Sequence, residues 1–136
     1  MEDYKSILEN ADFAKQLKKM EKKYSNKKIV LYGAGEFFRA IQDYYDLSKL
    51  NVIAISDKAF IDYENIIYDK ELGYNKISPL HINELKPDIV LISVLKDYFV
   101  EKYFCEELFT KKKYRFKYDR FFKQKVSTQI MEEFFL

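Results

Sequence analysis

Three short apolar runs divide the chain into an alternating pattern of strands and helices. The runs Ile29–Gly33 (IVLYG), Asn51–Asp57 (NVIAISD) and Asp88–Val94 (DIVLISV) each contain four consecutive apolar residues. Runs of this kind are typical of strands buried on both faces, as in parallel sheets. Apolar residues at helical spacing follow the first run over residues 36–50 and the third run over residues 97–109. The alternation predicts an α/β fold.

The segments around these runs predict further elements. Residues 2–24 carry apolar side chains at three- and four-residue steps, which predicts one amphipathic helix. Residues 58–74 show no clean period and predict a long loop with one helical turn. A brief strand over 76–78 and a short helix over 79–85, with proline at its first position after a serine cap, complete this region.

The C-terminal part is rich in basic and aromatic residues. Residues 114–118 (YRFKY) alternate aromatic and basic side chains and predict a half-exposed edge strand. Residues 127–136 predict a short amphipathic helix. The Phe-Phe pairs at 121–122 and 134–135 are candidates for packing on a partner subunit.

Length and composition bound the class of protein. The 136 residues are 48% hydrophobic and 34% charged, which indicates one globular domain. No apolar run approaches the roughly 20 residues that a membrane-spanning helix requires, so no membrane association is expected. The single cysteine, Cys105, allows no internal disulfide, and acidic residues near the N-terminus argue against a leader peptide. These features predict a cytoplasmic protein.

The positive charge of the chain is concentrated in one segment. Residues 111–125 hold eight of the 24 basic residues and one of the 22 acidic residues, so the rest of the chain has a net charge of −5. A mainly acidic chain would not attract a polyanion, which disfavours nucleic-acid binding. The basic segment is also explained as a solvated edge whose lysines discourage pairing with other sheets.

No set of residues predicts a catalytic centre or a metal site. The one histidine, His81, lies far in sequence from Cys105, which leaves no zinc motif, Cys–His pair or Ser–His–Asp triad. His81 is expected at the surface, and Cys105 is expected in the core on an aromatic helix face. Catalytic residues stay unassigned, and no metal is expected.

The strongest chemical signal is the turn after the first apolar run. Gly33 and Gly35 flank Ala34 between a predicted strand and a predicted helix, which Glu36 opens. In such a turn the first glycine allows the tight bend, and the second lets a phosphate approach the backbone. The helix start adds unpaired N–H groups and the positive end of the helix dipole, which favour an anion. A tight connection without a ligand is the alternative.

Two further positions bear on this interpretation. A G-x-G-x-x-G fingerprint would have its third glycine at position 38, where this chain has Phe38, so the helix and the strand are not expected to pack in the standard way. Asp57 ends the second apolar run 24 residues after Gly33. A carboxylate meets a ribose hydroxyl at an offset of about 20 residues. Capping of the following loop is an equally good role for Asp57.

Ser93 ends the third apolar run. In a sheet with the strand order 3-2-1-4, Ser93 would lie beside the glycine turn, where a hydroxyl can bond a phosphate or a sugar. A buried serine whose hydrogen bonds are satisfied within the protein is the alternative.

These residues resemble a known module. The GAG turn, the aspartate that closes the second strand, the segment ISP…EL at 77–85 and the following apolar strand are similar to the Rossmann-like domain of nucleoside-diphosphate-sugar enzymes in bacterial surface-glycan pathways. Such modules form the N-terminal domain of sugar acyltransferases and parts of epimerase-like or dehydratase-like proteins. The resemblance covers about residues 27–95. It implies that a nucleotide or UDP-linked sugar lies over the turn, with Asp57 on a ribose or sugar hydroxyl.

The fold expected from these observations is α/β: a three-layer Rossmann-like parallel sheet with an N-terminal amphipathic helix. A single domain over residues 1–136 would comprise the N-terminal helix (1–26), the Rossmann-like core (27–110) and a basic, aromatic edge strand and tail (111–136).

The expected function is binding of a nucleotide or nucleotide-sugar in bacterial surface-glycan biosynthesis, with NAD(P) as a further candidate cofactor. A homodimer or a partner enzyme is the expected protein partner, and any catalysis would come from a partner or from residues that the sequence does not identify. The candidate binding residues are Gly33, Ala34, Gly35, Glu36, Asp57 and Ser93.

Two alternatives stay open. One is a non-catalytic protein-interaction module that has lost its ligand. The other is an S-adenosylmethionine-dependent methyltransferase-like domain. Such domains usually carry an acid just before the glycines, where this chain has Leu31 and Tyr32.

Overall fold

A computed structural model describes residues 3–124 as one mixed sheet with helices against it. The strands are β1 (Ile29–Tyr32), β2 (Val52–Ser56), β3 (Ile67–Asp69), β4 (Tyr74–Ile77), β5 (Ile89–Ile92) and β6 (Tyr118–Arg120). The α-helices are α1 (Tyr4–Asn10), α2 (Phe13–Lys23), α3 (Glu36–Tyr44) and α4 (Tyr98–Glu106). Short 3-10 helices occupy Lys58–Phe60, Pro79–Leu85, Leu108–Thr110 and Lys112–Tyr114.

The sheet has the strand order β3-β4-β2-β1-β5-β6. All neighbouring strands are parallel except β3 and β4, which form an antiparallel pair. The three apolar runs form β1, β2 and β5. Together with β4 they lie in the order β4-β2-β1-β5. Counted along the chain without β3, this is the order 3-2-1-4 from which the position of Ser93 was predicted. The chain is therefore an α/β protein with a mostly parallel six-stranded sheet, which confirms the predicted class.

A hydrophobic cluster lies on each face of the sheet. Alternate residues of β1 point to opposite sides, because side chains in a strand alternate. Leu31 belongs to a cluster with residues of α1, α2 and α3. Val30 belongs to a second cluster with Phe104 of α4. All three side chains are fully buried, so the sheet has a core on each side.

The N-terminal segment forms two helices, where the sequence predicted one over residues 2–24. The break lies at Asp12, whose backbone is left-handed with φ of +54°. Aspartate tolerates this conformation better than most residues. Leu8 before the break and Phe13 after it are both fully buried. A continuous apolar spacing could not reveal this change of direction.

The predicted long loop over 58–74 contains regular structure. A 3-10 turn occupies Lys58–Phe60, and the antiparallel strand Ile67–Asp69 forms the outer edge of the sheet against Tyr74–Ile77. The edge strand escaped prediction because its side chains are exposed on both faces and therefore show no alternation.

The basic segment is also arranged differently from the prediction. The edge strand is Tyr118–Arg120, parallel to β5, and not residues 114–118. The side-chain amide of Asn83 donates hydrogen bonds to the backbone carbonyls of Lys113 and Arg115, which holds the preceding stretch outside the sheet.

Three further expectations concern the aromatic pairs, Cys105 and the tail. Phe121 and Phe122 are buried in the chain's own core, where both rings contact Phe13, so they are not surface residues for a partner subunit. Cys105 is exposed, and the prediction that it lies in the core is wrong.

The predicted helix over 127–136, with the second Phe-Phe pair, lies outside the described residues. Between residues 3 and 124 no helix is both long and apolar enough to cross a membrane.

Candidate functional site

The glycine turn connects β1 to α3 and lies beside the connection from β5 to α4. After β1 the chain enters α3, whose buried residues belong to one hydrophobic cluster, and after the neighbouring β5 it enters α4, whose Phe104 belongs to the other cluster. A crevice at the carboxyl ends of such strands is the usual ligand site of open α/β sheets. The candidate residues Gly33, Asp57 and Ser93 follow β1, β2 and β5 at this edge.

Gly33 is required by the fold. Its φ of +117° is a conformation that L side chains rarely adopt. A Cβ at this position would lie 2.5 Å from Val94 Cγ2 and 3.0 Å from the carbonyl oxygen of Ser93. Its N–H donates to the carbonyl of Ser56 over 2.8 Å. Gly33 is therefore the point at which three strand ends meet.

Gly35 has no comparable structural requirement. Its φ of −86° and ψ of −162° are open to any residue, and a Cβ there would have no heavy atom within 4 Å. Gly35 is exposed and stands at the N-cap of α3, where it offers no side-chain hydrogen bond to the helix. Serine, threonine, asparagine and aspartate are the stronger caps. Packing and backbone geometry thus give no reason for a glycine here.

Asp57 caps the turn from the side. Its Oδ2 accepts the Ala34 N–H over 2.8 Å, and its Oδ1 accepts the Ala59 N–H over 3.0 Å. The half-buried carboxylate therefore ties the end of β2 to the first crossover. A carboxylate has about four lone-pair sites, so two of them are still able to accept hydroxyl donors. The loop-capping role is observed, and the ribose-binding role stays a prediction.

The three backbone amides that follow Ala34 make no hydrogen bond within the described residues. Within residues 3–124, no protein acceptor receives the N–H groups of Gly35, Glu36 and Phe37. The first intrahelical bond runs from the Arg39 N–H to the carbonyl of Gly35. These three donors lie at the start of a nine-residue helix, where Gly35 and Glu36 are exposed and Phe37 is buried.

Ser93 lies beside the turn but is occupied by it. The buried hydroxyl donates toward the carbonyls of Gly33, at 2.8 Å, and Tyr32, at 3.1 Å. The Ser93 N–H donates to the same Tyr32 carbonyl over 2.8 Å. The position expected from the strand order is correct. The contacts observed are those of a serine that braces the turn.

Phe38 packs away from the glycine turn. It is fully buried among residues of α1, α2 and α3, and its ring lies 6.2 Å from that of Tyr74 on β4. The ring thus fills the space between α3 and the sheet that close packing on a third glycine would remove. None of the hydrogen bonds described above for the turn involves Phe38.

An open cleft of about 270 Å³ runs along the outer side of α3 from Glu36. Two cations, Lys5 and Arg39, stand in its wall with three acids, Asp3, Glu36 and Asp43. Glu36 and Arg39 are both exposed, and neither forms an ion pair in the described part of the chain. Among the candidate binding residues, Glu36 alone lines this cleft.

The sequence did not reveal two other features of this edge. Burial raises the pKa of the Tyr32 hydroxyl, so Tyr32 at the end of β1 stays protonated. Asp97, in the loop after β5, pairs with Arg120 at the end of β6 over 3.1 Å. Burial raises the pKa of the Asp97 carboxyl, and the Arg120 charge opposes that rise. In the sequence Tyr32 is one residue of an apolar run and Arg120 is one of many basic residues in its segment, so neither residue stands out.

The described residues contain no metal-binding cluster. Across residues 3–124, no group of three or more histidine, cysteine, aspartate or glutamate side chains is arranged to hold a metal ion. His81 Nδ1 lies 3.0 Å from Glu84 Oε2, one turn away on the 3-10 helix Pro79–Leu85.

Comparison with known proteins adds no family. No model of a protein family matches the chain, and a search of curated proteins finds no relative.

Proposed function

We propose that this chain is a three-layer, Rossmann-like domain that binds a nucleotide or nucleotide-sugar through a phosphate at Gly35, Glu36 and Phe37. The support is the strand order, the hydrophobic cluster on each face of the sheet and the turn at the point where the crossovers diverge. Open sheets of this kind bind ligands at that point. The three N–H groups, which have no acceptor within residues 3–124, and the α3 dipole would stabilise the phosphate charge.

The observation that carries the proposal is the difference between the two glycines. Gly33 is explained by its positive φ and its contact with Val94. Gly35 has an ordinary backbone conformation and open space where a Cβ would lie. Close approach of an external group to the backbone explains a glycine at such a position.

The other candidate residues would hold the rest of the ligand. Asp57 keeps lone pairs for ribose or sugar hydroxyls after its two backbone contacts. Arg39 and Lys5 line the cleft that begins at Glu36 and would be the partners of a second phosphate, against the repulsion of the three acids in the same wall. Ser93 would support the turn and not contact the ligand. The similarity of residues 27–95 to nucleotide-sugar domains of bacterial glycan pathways favours a UDP-linked sugar over NAD(P) or S-adenosylmethionine.

A protein-interaction module without a ligand is the second candidate. One observation favours it: the Asp57 carboxylate already accepts the Ala34 N–H. The Asp57 carboxylate thereby supplies an acceptor for one amide of the turn from within the protein. A module without a bound ligand would need such an acceptor. In this case the amides of Gly35, Glu36 and Phe37 would bond only to water.

Thermal unfolding with a ligand panel separates the two candidates. The panel contains UDP-sugars, NAD, NADP, coenzyme A and S-adenosylmethionine, each tested with the full chain. A ligand at 100 times its dissociation constant stabilises the fold by about 2.7 kcal/mol. A shift in the melting temperature with a UDP-sugar supports the proposal, and no shift with any compound supports the interaction module.

Two variants identify the site of any shift. Gly35→Val should abolish it and leave the fold intact, because the backbone conformation is open to any residue and a Cβ meets no heavy atom within 4 Å. Ala14→Val is the matched control, since Ala14 is exposed on α2. A shift that survives Gly35→Val would place the ligand elsewhere.

A further inference from the structure

The free edge of the sheet at β3 carries an unusual row of apolar side chains. Ile66, Ile67 and Tyr68 are 46%, 48% and 60% exposed, respectively. They account for three of the six large apolar or aromatic side chains that are exposed within residues 3–124, and they are consecutive. Because side chains alternate along a strand, the three flank the edge on both faces of the sheet. Scattered exposed apolar residues are ordinary, but three together at one edge are typical of an interaction surface.

The backbone of β3 is also unpaired on one side. β3 hydrogen-bonds to β4 alone in the sheet described for residues 3–124. An antiparallel strand directs alternate N–H and C=O groups toward each of its two neighbours. The outward set is therefore available to another strand, which is the template that edge strands present.

The charges around this row are self-complementary. In an antiparallel pair of two copies centred on Ile67, each Ile66 would lie opposite Tyr68 of the other copy. The same register would bring Glu64, three residues before the strand, to the side of the other copy's Lys70, which follows the strand in a turn, and the twofold symmetry repeats this pair. Neither Glu64 nor Lys70 forms an ion pair in the described part of the chain, and both are exposed.

Other registers match less well. Centring on Tyr68 would set Ile66 against Lys70, and centring on Ile66 would set Glu64 against Tyr68. A pairing that joins apolar to apolar and acid to base therefore selects Ile67 as the centre. A foreign strand has no such built-in match, which favours a second copy as the occupant.

From this self-complementarity we infer that β3 is a homodimer edge, at which two copies pair antiparallel about Ile67 and continue one sheet across the twofold axis. This interface is independent of the ligand proposal, because β3 lies at the end of the sheet beyond β2 and β4. Short paired strands bury little area, so the dimer is expected to dissociate on dilution.

The mass of the full chain in solution, measured by sedimentation over a range of concentrations, tests the interface. The wild type should pass from monomer to dimer as its concentration rises. Ile67→Lys should keep it monomeric over that range. Tyr44→Lys is the matched control, because Tyr44 is 52% exposed on α3, away from this edge. A monomer throughout, or a dimer that survives Ile67→Lys, would overturn the inference.

A charge swap tests the register without touching an apolar residue. Glu64→Lys should raise the dimer dissociation constant about tenfold, because two attractive pairs become repulsive. Lys70→Glu should do the same. The double variant should return the constant to within about threefold of wild type. Failure of the double variant to restore dimerisation would contradict pairing about Ile67.

Discussion

The two glycines of one turn differ in what the fold asks of them. Gly33 has a positive φ and lies against Val94 and the Ser93 carbonyl, so the meeting of three strands leaves no room for a side chain. Gly35, two residues later, has an ordinary conformation and empty space around it. A single motif thus combines a structural glycine with one that architecture does not explain, and substitution should separate them.

The largest expected effect is at Gly33. Gly33→Ala should destabilise the protein by about 2–4 kcal/mol, since it adds backbone strain and a clash with a stiff valine and a carbonyl. Chemical denaturation measures the loss. If the variant is as stable as wild type, Gly33 and Gly35 are equivalent and the contrast between them fails.

Asp57 should come next. Asp57→Ala should cost about 2 kcal/mol, because two backbone N–H groups lose their acceptor. Asp57→Asn keeps one acceptor oxygen and should cost about half as much. Asp62→Ala serves as the control, since Asp62 is exposed and its side chain forms no hydrogen bond or ion pair within residues 3–124. Equal stability of all three variants would mean that the Asp57 cap contributes nothing to the turn.

Ser93 should show a smaller effect on stability and none on ligand binding. Ser93→Ala should cost about 1 kcal/mol, because the hydroxyl bonds to the carbonyls of Gly33 and Tyr32. Denaturation gives the stability, and the ligand-induced melting shift of the variant should equal that of wild type. Loss of that shift would make Ser93 a ligand contact.

The smallest stability effect is expected at Gly35. Gly35→Ala should change the free energy of unfolding by less than about 1 kcal/mol, because the gain in chain stiffness offsets a poorer cap. Ligand binding should nevertheless weaken. A loss of stability as large as that of Gly33→Ala would make Gly35 a structural residue too.

The sequence predicted the centre of the fold well because burial on both faces leaves a clear pattern. Ile29–Tyr32 and Ile89–Ile92 are fully buried and lie where the apolar runs predicted them. The strand Ile67–Asp69 has no such pattern, since its side chains face solvent on both sides. The left-handed Asp12 divides a periodic segment into two helices, and periodicity does not encode that bend.

The candidate site was predicted in its positions more than in its contacts. Strand order brings Gly33, Asp57 and Ser93 to one edge, as the spacing suggested. The hydrogen bonds from Ala34 to Asp57 and from Ser93 to Gly33 depend on side-chain geometry across the sheet, which no local pattern contains. The Asp97–Arg120 pair joins residues from two predicted elements for the same reason.

Backbone amide shifts in a ligand titration test the central claim most directly. With ¹⁵N-labelled full-length chain and a UDP-sugar, the amide signals of Gly35, Glu36 and Phe37 should move together. The Ala34 amide, bonded to Asp57, should move less. If no nucleotide in the panel moves the three signals at millimolar concentration, the α3 amides bind no phosphate and the proposed function is wrong.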